Sequence, residues 1–324
     1  MTRSSKPSAA HGLPTRQGVS PSCVGLPAGP WLTMTDFLVQ RFPAVAREVW
    51  LARMAQGLVA DEHGQPVTPE RPYQAPLRVY YYRDQAAMAA EPEVPFEAQV
   101  LYQDAHLVVA DKPHFLPVTP SGPYVQQTLL VRLKNQLGLP DLAPLHRIDR
   151  ETAGLVMFSV QRSERDAYQT LFRERSLQKH YLAVAPWRAD LALPVTRLSR
   201  IEADQPFFRQ REAPGEPNSE THIELLARQG EHGLYSLSPI TGRKHQLRVH
   251  MNALGLPILG DRIYPPVAVT PHDDFAKPLQ LLAKALAFKD PLTGEPRRFE
   301  SRLRLGRDWR LGLPEHMDAG SSPA

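Results

Sequence analysis

Short apolar runs separated by turn residues fill the middle of the chain and predict a sheet. Residues 107–110 (LVVA) and 155–160 (LVMFSV) are continuous apolar runs, a pattern typical of buried strands. Residues 179–185 (KHYLAVA) alternate, so Lys179 and Tyr181 share one face of a strand. The same reasoning predicts further strands at residues 195–201, 219–227 and 233–238. Because consecutive strands are joined by short connections, we expect a mixed, largely antiparallel sheet.

Helical spacing occurs beside these strands. Leu129, Leu133 and Leu137 recur every four residues and Gly138 follows them, which predicts a helix with a glycine cap. Ser163 can cap a second helix, in which Tyr168, Leu171 and Phe172 face the core. Helices flanking such a sheet predict an α+β fold.

Composition divides the chain into five stretches. Residues 1–30 are rich in Ser, Pro and Gly and predict a disordered arm, and residues 31–84 predict a small α/β module. Residues 85–98 are rich in Glu and Pro and predict a linker. Residues 99–313 contain the sheet and predict the main domain, and residues 314–324 predict a flexible tail.

The small module is expected to begin with two short helices. Thr35 and Asp36 are the predicted N-cap of the first, and residues 47–56 form the second, with Trp50 and Met54 facing inward. Its candidate cationic contacts for a nucleic acid are Arg41, Arg47 and Arg53.

Charge and cysteine content narrow the class of protein. The formal net charge is +4, which is compatible with a nucleic-acid partner but does not require one. No run of about 18 apolar residues predicts a membrane span. The N-terminus lacks the apolar region of a secretory signal, and the single cysteine, Cys23, fits a reducing compartment. We therefore expect a monomeric cytoplasmic protein with no membrane contact.

Asp149 is the first candidate for chemistry. It lies between Arg147 and Arg150, just before the strand that starts near Leu155. Nearby positive charge keeps a carboxylate ionised, the state that a nucleophile or general base requires at neutral pH. A surface cluster of ion pairs is the alternative interpretation of the same residues.

A second cationic cluster lies at residues 241–251 (TGRKHQLRVHM), for which we predict a helix that opens at Thr241. Lysine and arginine at a helix N-terminus oppose the helix dipole and suggest an anionic ligand, although a solvated basic helix is the alternative. Histidines 146, 245 and 250 are poor candidates for a metal site, because adjacent arginines oppose a cation. The chain contains neither a phosphate-binding loop motif nor a Gly-x-Ser-x-Gly motif.

Three segments together resemble the RluA-type pseudouridine synthases. HRIDRETAGL at residues 146–155 is similar to their His-Arg-Leu-Asp-x-x-Thr-Ser/Ala-Gly-Leu signature, and Lys179-x-Tyr181-x-Ala183 to their Lys-x-Tyr-x-Ala strand. GRKHQLRVH at residues 242–250 is similar to their Gly-Arg-x-His-Gln-Ile/Leu-Arg-x-His helix. The resemblance covers roughly residues 97–302. Phe115 departs from the commoner Lys-Pro-x-Gly pattern, and Leu282 stands where many members have histidine.

The resemblance implies isomerisation of uridine in RNA to pseudouridine, without a cofactor or metal. Asp149 would be the catalytic carboxylate, as nucleophile or as base, with Arg248 as its orienting partner. Tyr181 would stack on the detached base and is available to help remove the C5 proton. Arg147 would fill the place of the flipped uridine or hold phosphate. The other implied substrate contacts are His146, Lys179, Arg243, Lys244 and His245.

The resemblance also implies an RNA partner, with ribosomal RNA of the large subunit favoured over tRNA. Residues 31–83 are weakly similar to the small α-L RNA-binding domain often appended to these enzymes. An RNA-binding protein that has lost catalysis is the alternative. The joint presence of Asp149, Tyr181 and Arg248 favours an active enzyme.

Overall fold

The computed structural model describes residues 15–82, 91–206, 208–264 and 275–306. The chain forms two compact units: residues 1–93 with 119–140, and residues 94–118 with 141–324. No helix in the described ranges is long and apolar enough to cross a membrane.

The part of the first unit before residue 83 contains a three-stranded antiparallel sheet and two short helices. Its strands are β1 (Ser22–Leu26), β2 (Val59–Asp61) and β3 (Leu77–Tyr81), in the order β1-β3-β2. The helices are α1 (Met34–Arg41) and α2 (Arg47–Ala55). As expected, Trp50 and Met54 face inward; the shared core also includes Met34, Phe37, Leu38, Val59 and Val79.

Two boundaries in this unit differ from the sequence predictions. The predicted disordered arm includes β1, which pairs with β3 from Ser22 to Leu26 and buries Leu26 in the core. Backbone pairing with a distant strand supplies this order, which local composition does not reveal. Helix α1 is capped by Thr33 and not by Thr35 or Asp36, because Asp36 at the third helical position closes a reciprocal capping box with Thr33. The predicted tail and residues 1–14 lie outside the described ranges.

The three arginines proposed as RNA contacts of the module make local contacts. Arg47 forms an ion pair of 2.9 Å with Asp36. The guanidinium groups of Arg41 and Arg53 lie 5.5 Å and 5.0 Å from the ring centroids of Phe42 and Trp50. Further along the chain, helix α3 (Leu129–Leu137) belongs to the same unit and has the predicted cap, with Gly138 in the left-handed conformation. Of the predicted linker, residues 85–90 lie outside the described ranges, and residues 91–98 have no regular structure.

The second unit is built on one large mixed sheet. The strands are β4 (Gln99–Gln103), β5 (Leu107–Lys112), β6 (Ala143–Pro144), β7 (Ala153–Ser159), β8 (Gln178–Pro186), β9 (Val195–Ala203), β10 (Gln210–Ala213), β11 (Ser219–Gln229), β12 (His232–Pro239), β13 (Leu281–Lys289) and β14 (Pro296–Glu300). Their order in the sheet is β10-β9-β11-β12-β8-β13-β7-β5-β4, with β6 paired to β7 and β14 to β13. The pairings are antiparallel except for the parallel pair of β7 and β13, which confirms the expected α+β fold.

Two helices accompany the sheet, α4 (Arg165–Arg173) and α5 (Gln246–Ala253). A single 3₁₀ turn at Arg162–Glu164 precedes α4, so the helix begins two residues after the predicted cap. Against one part of the sheet, Leu247 and Met251 of α5 pack with Leu237 of β12. In another cluster, Tyr168 and Leu171 of α4 pack with Met157 of β7.

The sheet order brings together the segments with candidate chemistry. Strand β7 begins four residues after Asp149, and β13 lies between β7 and β8. Ala283 of β13 pairs with Gly154 on one side and with Tyr181 on the other. The Asp149 loop and Tyr181 are therefore separated by one strand.

Gly154 is required at this junction. Its φ is +109°, and a Cβ added there would lie 2.3 Å from the carbonyl oxygen of Ala283. We expect Gly154→Ala to lower the free energy of unfolding by at least about 3 kcal/mol, since the conformation and the backbone contact both oppose a side chain. Urea denaturation measures the change. Gly25→Ala is the control, because nothing lies within 4 Å of its Cβ position, and an equal loss at both positions would contradict this account.

Candidate active site

Asp149 and Arg248 meet in the second unit, although 99 residues separate them in sequence. Arg248 Nη1 donates a hydrogen bond of 3.2 Å to Asp149 Oδ2. The Arg248 side chain is 2% exposed, whereas that of Asp149 is 27% exposed. The pair therefore has a buried cationic side and a carboxylate that a ligand can reach.

Asp261 holds the other side of the same guanidinium. Arg248 Nε donates to Asp261 Oδ2 at 2.8 Å, and Nη2 donates to Oδ1 at 2.7 Å. The backbone N–H groups of Ile263 and Tyr264 also donate to Oδ1. This bidentate geometry fixes the plane of the guanidinium and directs Nη1 at Asp149. Asp261 was not among the predicted site residues.

The surroundings keep Asp149 ionised. Burial alone would raise the pKa of its carboxyl, but attraction to His245 in its protonated form, to Arg248 and to Lys112 outweighs burial and holds the pKa below its ordinary value. These charges come from three separate segments of the chain. Arg150, which directly follows Asp149 in sequence, instead forms an ion pair of 2.6 Å with Glu151.

His245 lies beside the same carboxylate. Its Nε2 is 3.9 Å from Asp149 Oδ1, and its Nδ1 is 3.1 Å from the hydroxyl of Tyr264. Burial lowers the pKa of His245, although the Asp149 charge opposes this shift.

The cationic segment at residues 241–245 is a turn and not the predicted start of a helix. His245 has a φ of +55°, and α5 begins at Gln246. The side-chain oxygen of Gln246 accepts hydrogen bonds from the Thr241 hydroxyl and from the Arg243 N–H. These bonds fold the turn back onto the helix, so Arg243 and Lys244 are exposed ahead of α5.

Tyr181 lies on β8, partly buried against the core cluster that includes Leu237 and Leu247. Burial first, and then the negative charge of Asp149, raise the pKa of its phenol far above the ordinary value. The phenol therefore stays protonated at neutral pH. It can present a ring face or donate a hydrogen bond, but it is a poor base.

The remaining predicted substrate residues differ in exposure. Arg147 is exposed, as are Arg243 and Lys244. Lys179 Nζ donates to the Thr241 carbonyl at 2.9 Å, and burial lowers the pKa of this ammonium to about 8. Each of these cations lies in or beside the segments that contain the site.

His146 contacts a neighbouring strand and helix of the second unit. Its Nε2 accepts a hydrogen bond of 3.1 Å from the Met157 N–H, and its ring stacks on Phe172 at 5.0 Å between centroids. Burial and the charge of Lys179 lower its pKa to about 3, so the ring is neutral. This geometry anchors the start of the Asp149 loop.

Lys112, at the end of β5, was also missed by the sequence analysis as a site residue. It is fully buried, and its Nζ donates to the carbonyl oxygens of Pro113 at 2.9 Å and Arg150 at 3.1 Å. Burial lowers the pKa of this ammonium to about 7, although Glu151 and Asp149 oppose the shift. Burial of a lysine is unusual, so composition and periodicity did not predict that this side chain would point into the site.

The described part of the chain contains no group of three His, Cys, Asp or Glu side chains arranged to hold a metal ion. The chemical content of the site is thus an accessible ionised carboxylate, a clamped buried guanidinium, a protonated phenol and a rim of cations.

Comparison with known proteins gives a consistent result. A family model for RNA pseudouridylate synthase matches residues 106–253. The chain is 34% identical over 250 residues to an uncharacterised RNA pseudouridine synthase from Synechocystis sp., a match that covers 76% of this chain and 84% of that protein. It is 34% identical over 207 residues to the dual-specificity RNA pseudouridine synthase RluA of Haemophilus influenzae, covering 63% of this chain and 92% of that one.

A solved structure shares the fold. Human RNA pseudouridylate synthase domain containing 1 aligns with a TM-score of 0.53 at 24% identity, covering 65% of this chain and 85% of that one.

Proposed function

The chain belongs to the RNA pseudouridylate synthase family and is of the RluA type, and on that premise we propose that Asp149 is the catalytic carboxylate that isomerises uridine in ribosomal RNA. The observation that carries the assignment is the array Asp149–Arg248–Asp261, in which one buried guanidinium joins an accessible carboxylate to a buried one. Membership of this family makes the chain an RNA pseudouridine synthase, which is an isomerase.

The reaction requires no oxidant or reductant. The N1–C1′ glycosidic bond of uridine breaks, the uracil turns, and a C5–C1′ bond forms. The C5 proton then leaves to a base or to solvent, while N1 gains a proton. Atoms and electrons balance within the nucleotide, so we propose that the enzyme uses no cofactor.

Asp149 has the properties that the first step demands. An ionised carboxylate can attack C1′ or act as the base that promotes glycosidic cleavage. Arg248 stabilises the charged form and orients the reactive oxygen by pairing with Oδ2. Both roles for Asp149 remain in the proposal, since both need the same charge and orientation.

Tyr181 is proposed to stack on the detached uracil. Its raised pKa favours a stacking or hydrogen-bonding role over proton removal from C5. A uridine in folded RNA must leave its stack to reach this carboxylate, at a cost of a few kcal/mol. Exposed Arg147, two residues before Asp149, is proposed to occupy the vacated position or to contact phosphate.

The other cations are proposed to bind the RNA backbone. Two of them, Arg243 and Lys244, lie in the turn at residues 241–245, and Lys179 donates a hydrogen bond to the Thr241 carbonyl of that turn. His245 is proposed to contact the substrate beside Asp149. His146 belongs to the same proposal only indirectly, since its ring supports the loop that carries Arg147. RNA binding by the small N-terminal module is also a proposal.

Salt dependence tests the phosphate contacts. We expect log affinity for RNA to fall linearly with log salt concentration, and Arg243→Ala to reduce the slope by about 0.7 to 0.9. Fluorescence anisotropy with labelled RNA measures both slopes. Arg228→Ala is the control. Arg228 lies on β11 and pairs with Gly233 near the start of β12, whereas residue 241 follows the end of β12, and the Arg228 guanidinium stacks on Trp187. Equal slopes for the wild type and Arg243→Ala would contradict this role.

Substrate choice is tested by mapping. Ribosomal RNA and tRNA from a strain lacking the protein are incubated with it, and pseudouridine is mapped in each. We expect new sites in large-subunit ribosomal RNA. Sites confined to tRNA would overturn the ribosomal proposal, and sites in both RNAs would extend it to a second substrate class.

A further inference from the structure

Phe115 combines an unusual backbone with complete burial. Its φ is +67°, in the left-handed region that disfavours residues with a bulky side chain, and it is 1% exposed. Glycine is the residue best suited to this conformation. A buried aromatic residue held there indicates that the surrounding structure uses the ring.

The ring lies against two arginines from different loops. The guanidinium carbons of Arg150 and Arg262 are 5.7 Å and 5.5 Å from its centroid, within the range of cation–π attraction. Arg150 directly follows Asp149, and Arg262 directly follows Asp261. The two loops joined by the Arg248 guanidinium are thus joined a second time through Phe115.

The segment that contains Phe115 also holds the backbone of the Asp149 loop. Lys112 Nζ donates to the Arg150 carbonyl at 3.1 Å, and His114 Nδ1 lies 2.7 Å from the Glu151 carbonyl oxygen. Burial lowers the pKa of His114 to about 4, so the ring is neutral and donates its Nδ1 proton to that oxygen. Both carbonyl groups follow Asp149 within two residues.

Aromatic neighbours fix the ring from other directions. Phe275 packs edge-on at 5.1 Å and Phe96 stacks at 6.0 Å, and these two rings also contact each other at 5.2 Å. The Phe115 ring therefore has little freedom to turn away from the arginines.

We propose that Phe115 is a positioning residue that couples the Asp149 loop to the Asp261 loop and so sets the geometry between Asp149 and Arg248. The inference rests on the proposed function of Asp149. Phe115 touches neither carboxylate in this role and acts through Arg150 and Arg262. Misplacement by about 1 Å costs on the order of 10²-fold in rate when a reaction depends on orientation.

The test replaces Phe115 with phenylalanine analogues that have one, two or three ring fluorines. Fluorination withdraws charge from the ring face and weakens cation–π attraction while nearly preserving volume. We expect kcat for pseudouridine formation to fall stepwise, to about 10-fold below wild type at the trifluoro analogue, with KM unchanged. Hydrogen exchange at residues 149–152 and 258–264 should accelerate together.

Phe288 is the matched control, since it is buried but packs on Phe299 at 6.2 Å. The same analogues there should leave kcat and both loops unchanged. Unchanged kcat and exchange in the Phe115 series, or equal changes in the Phe288 series, would overturn the inference. A wild type that forms no pseudouridine would instead contradict the proposed function, and the exchange measurement would still decide the coupling.

Discussion

Replacing Asp149 with asparagine is expected to lower the single-turnover rate of pseudouridine formation by at least about 10³-fold. Asparagine has nearly the same shape as aspartate and can still accept a hydrogen bond from Arg248. It lacks the negative charge that Asp149 keeps by virtue of a lowered pKa, and so cannot act as nucleophile or base. Quenched-flow mixing with excess enzyme over RNA isolates this chemical step.

The control for this change is Asp166→Asn on α4. Its carboxylate is 82% exposed and pairs only loosely with Arg173, at 3.3 Å. We expect its rate to equal that of the wild type. RNA affinity and thermal melting of Asp149→Asn should also stay near wild type, because the exposed cations and the fold are retained. A rate within threefold of wild type would remove Asp149 from the chemistry.

Opposite shifts of the acid limb of the pH profile are expected from substitutions of the other two members of the array, Arg248 and Asp261. Arg248→Gln removes a positive charge and a hydrogen bond that lower the pKa of Asp149, so its pKa should rise. The acid limb of the kcat profile then moves to higher pH, because a larger fraction of the carboxylate is protonated at a given pH. We also expect kcat at the optimum to fall on the order of 10²-fold.

Asp261→Asn should act in the other direction on the same limb. It removes the negative charge that shares Arg248, so the guanidinium stabilises Asp149 more strongly and the acid limb moves to lower pH. The rate at the optimum should still fall, since Arg248 loses its bidentate clamp.

Profiles of kcat against pH for the two variants and the wild type measure the shifts. Circular dichroism at each pH gives the folded fraction, because loss of one partner of a buried ion pair costs about 3–5 kcal/mol. Shifts in the same direction would contradict the shared-guanidinium account.

Local pattern was sufficient to predict the strands that flank the candidate site. The run at residues 155–160 and the alternation at residues 179–185 predicted β7 and β8, which flank the site, and Gly138 predicted the end of α3. Asp149 was selected for its flanking arginines, and Arg248 was selected from the resemblance of residues 242–250 to a family motif. In the structure, Arg248 Nη1 lies 3.2 Å from Asp149 Oδ2. Strand periodicity and short motifs can be recognised in a sequence because they depend on residues that lie near one another along the chain.

What the sequence analysis missed depends on contacts between distant segments. Asp261 and Lys112 join the site only after the sheet brings three loops together. Lys112 was noted only as the first residue of the loop that resembles Lys-Pro-x-Gly, and no role was predicted for Asp261. The positive charge of Arg150 was predicted to keep Asp149 ionised, but Arg150 pairs with Glu151 and stacks on Phe115. The prediction that the helix opens at Thr241 was also wrong. Residues 241–245 form a turn because their backbone and side chains donate hydrogen bonds to the side chain of Gln246.

The most direct test of the central claim is tritium release from RNA labelled at C5 of uridine. Forming the C5–C1′ bond expels the C5 hydrogen to water, while the mass of the unlabelled RNA strand does not change. Wild-type protein should release tritium in a one-to-one ratio with the pseudouridine formed, and Asp149→Asn should release none above background. Release by Asp149→Asn at the wild-type rate, or no release by the wild type from either ribosomal RNA or tRNA, would contradict the account.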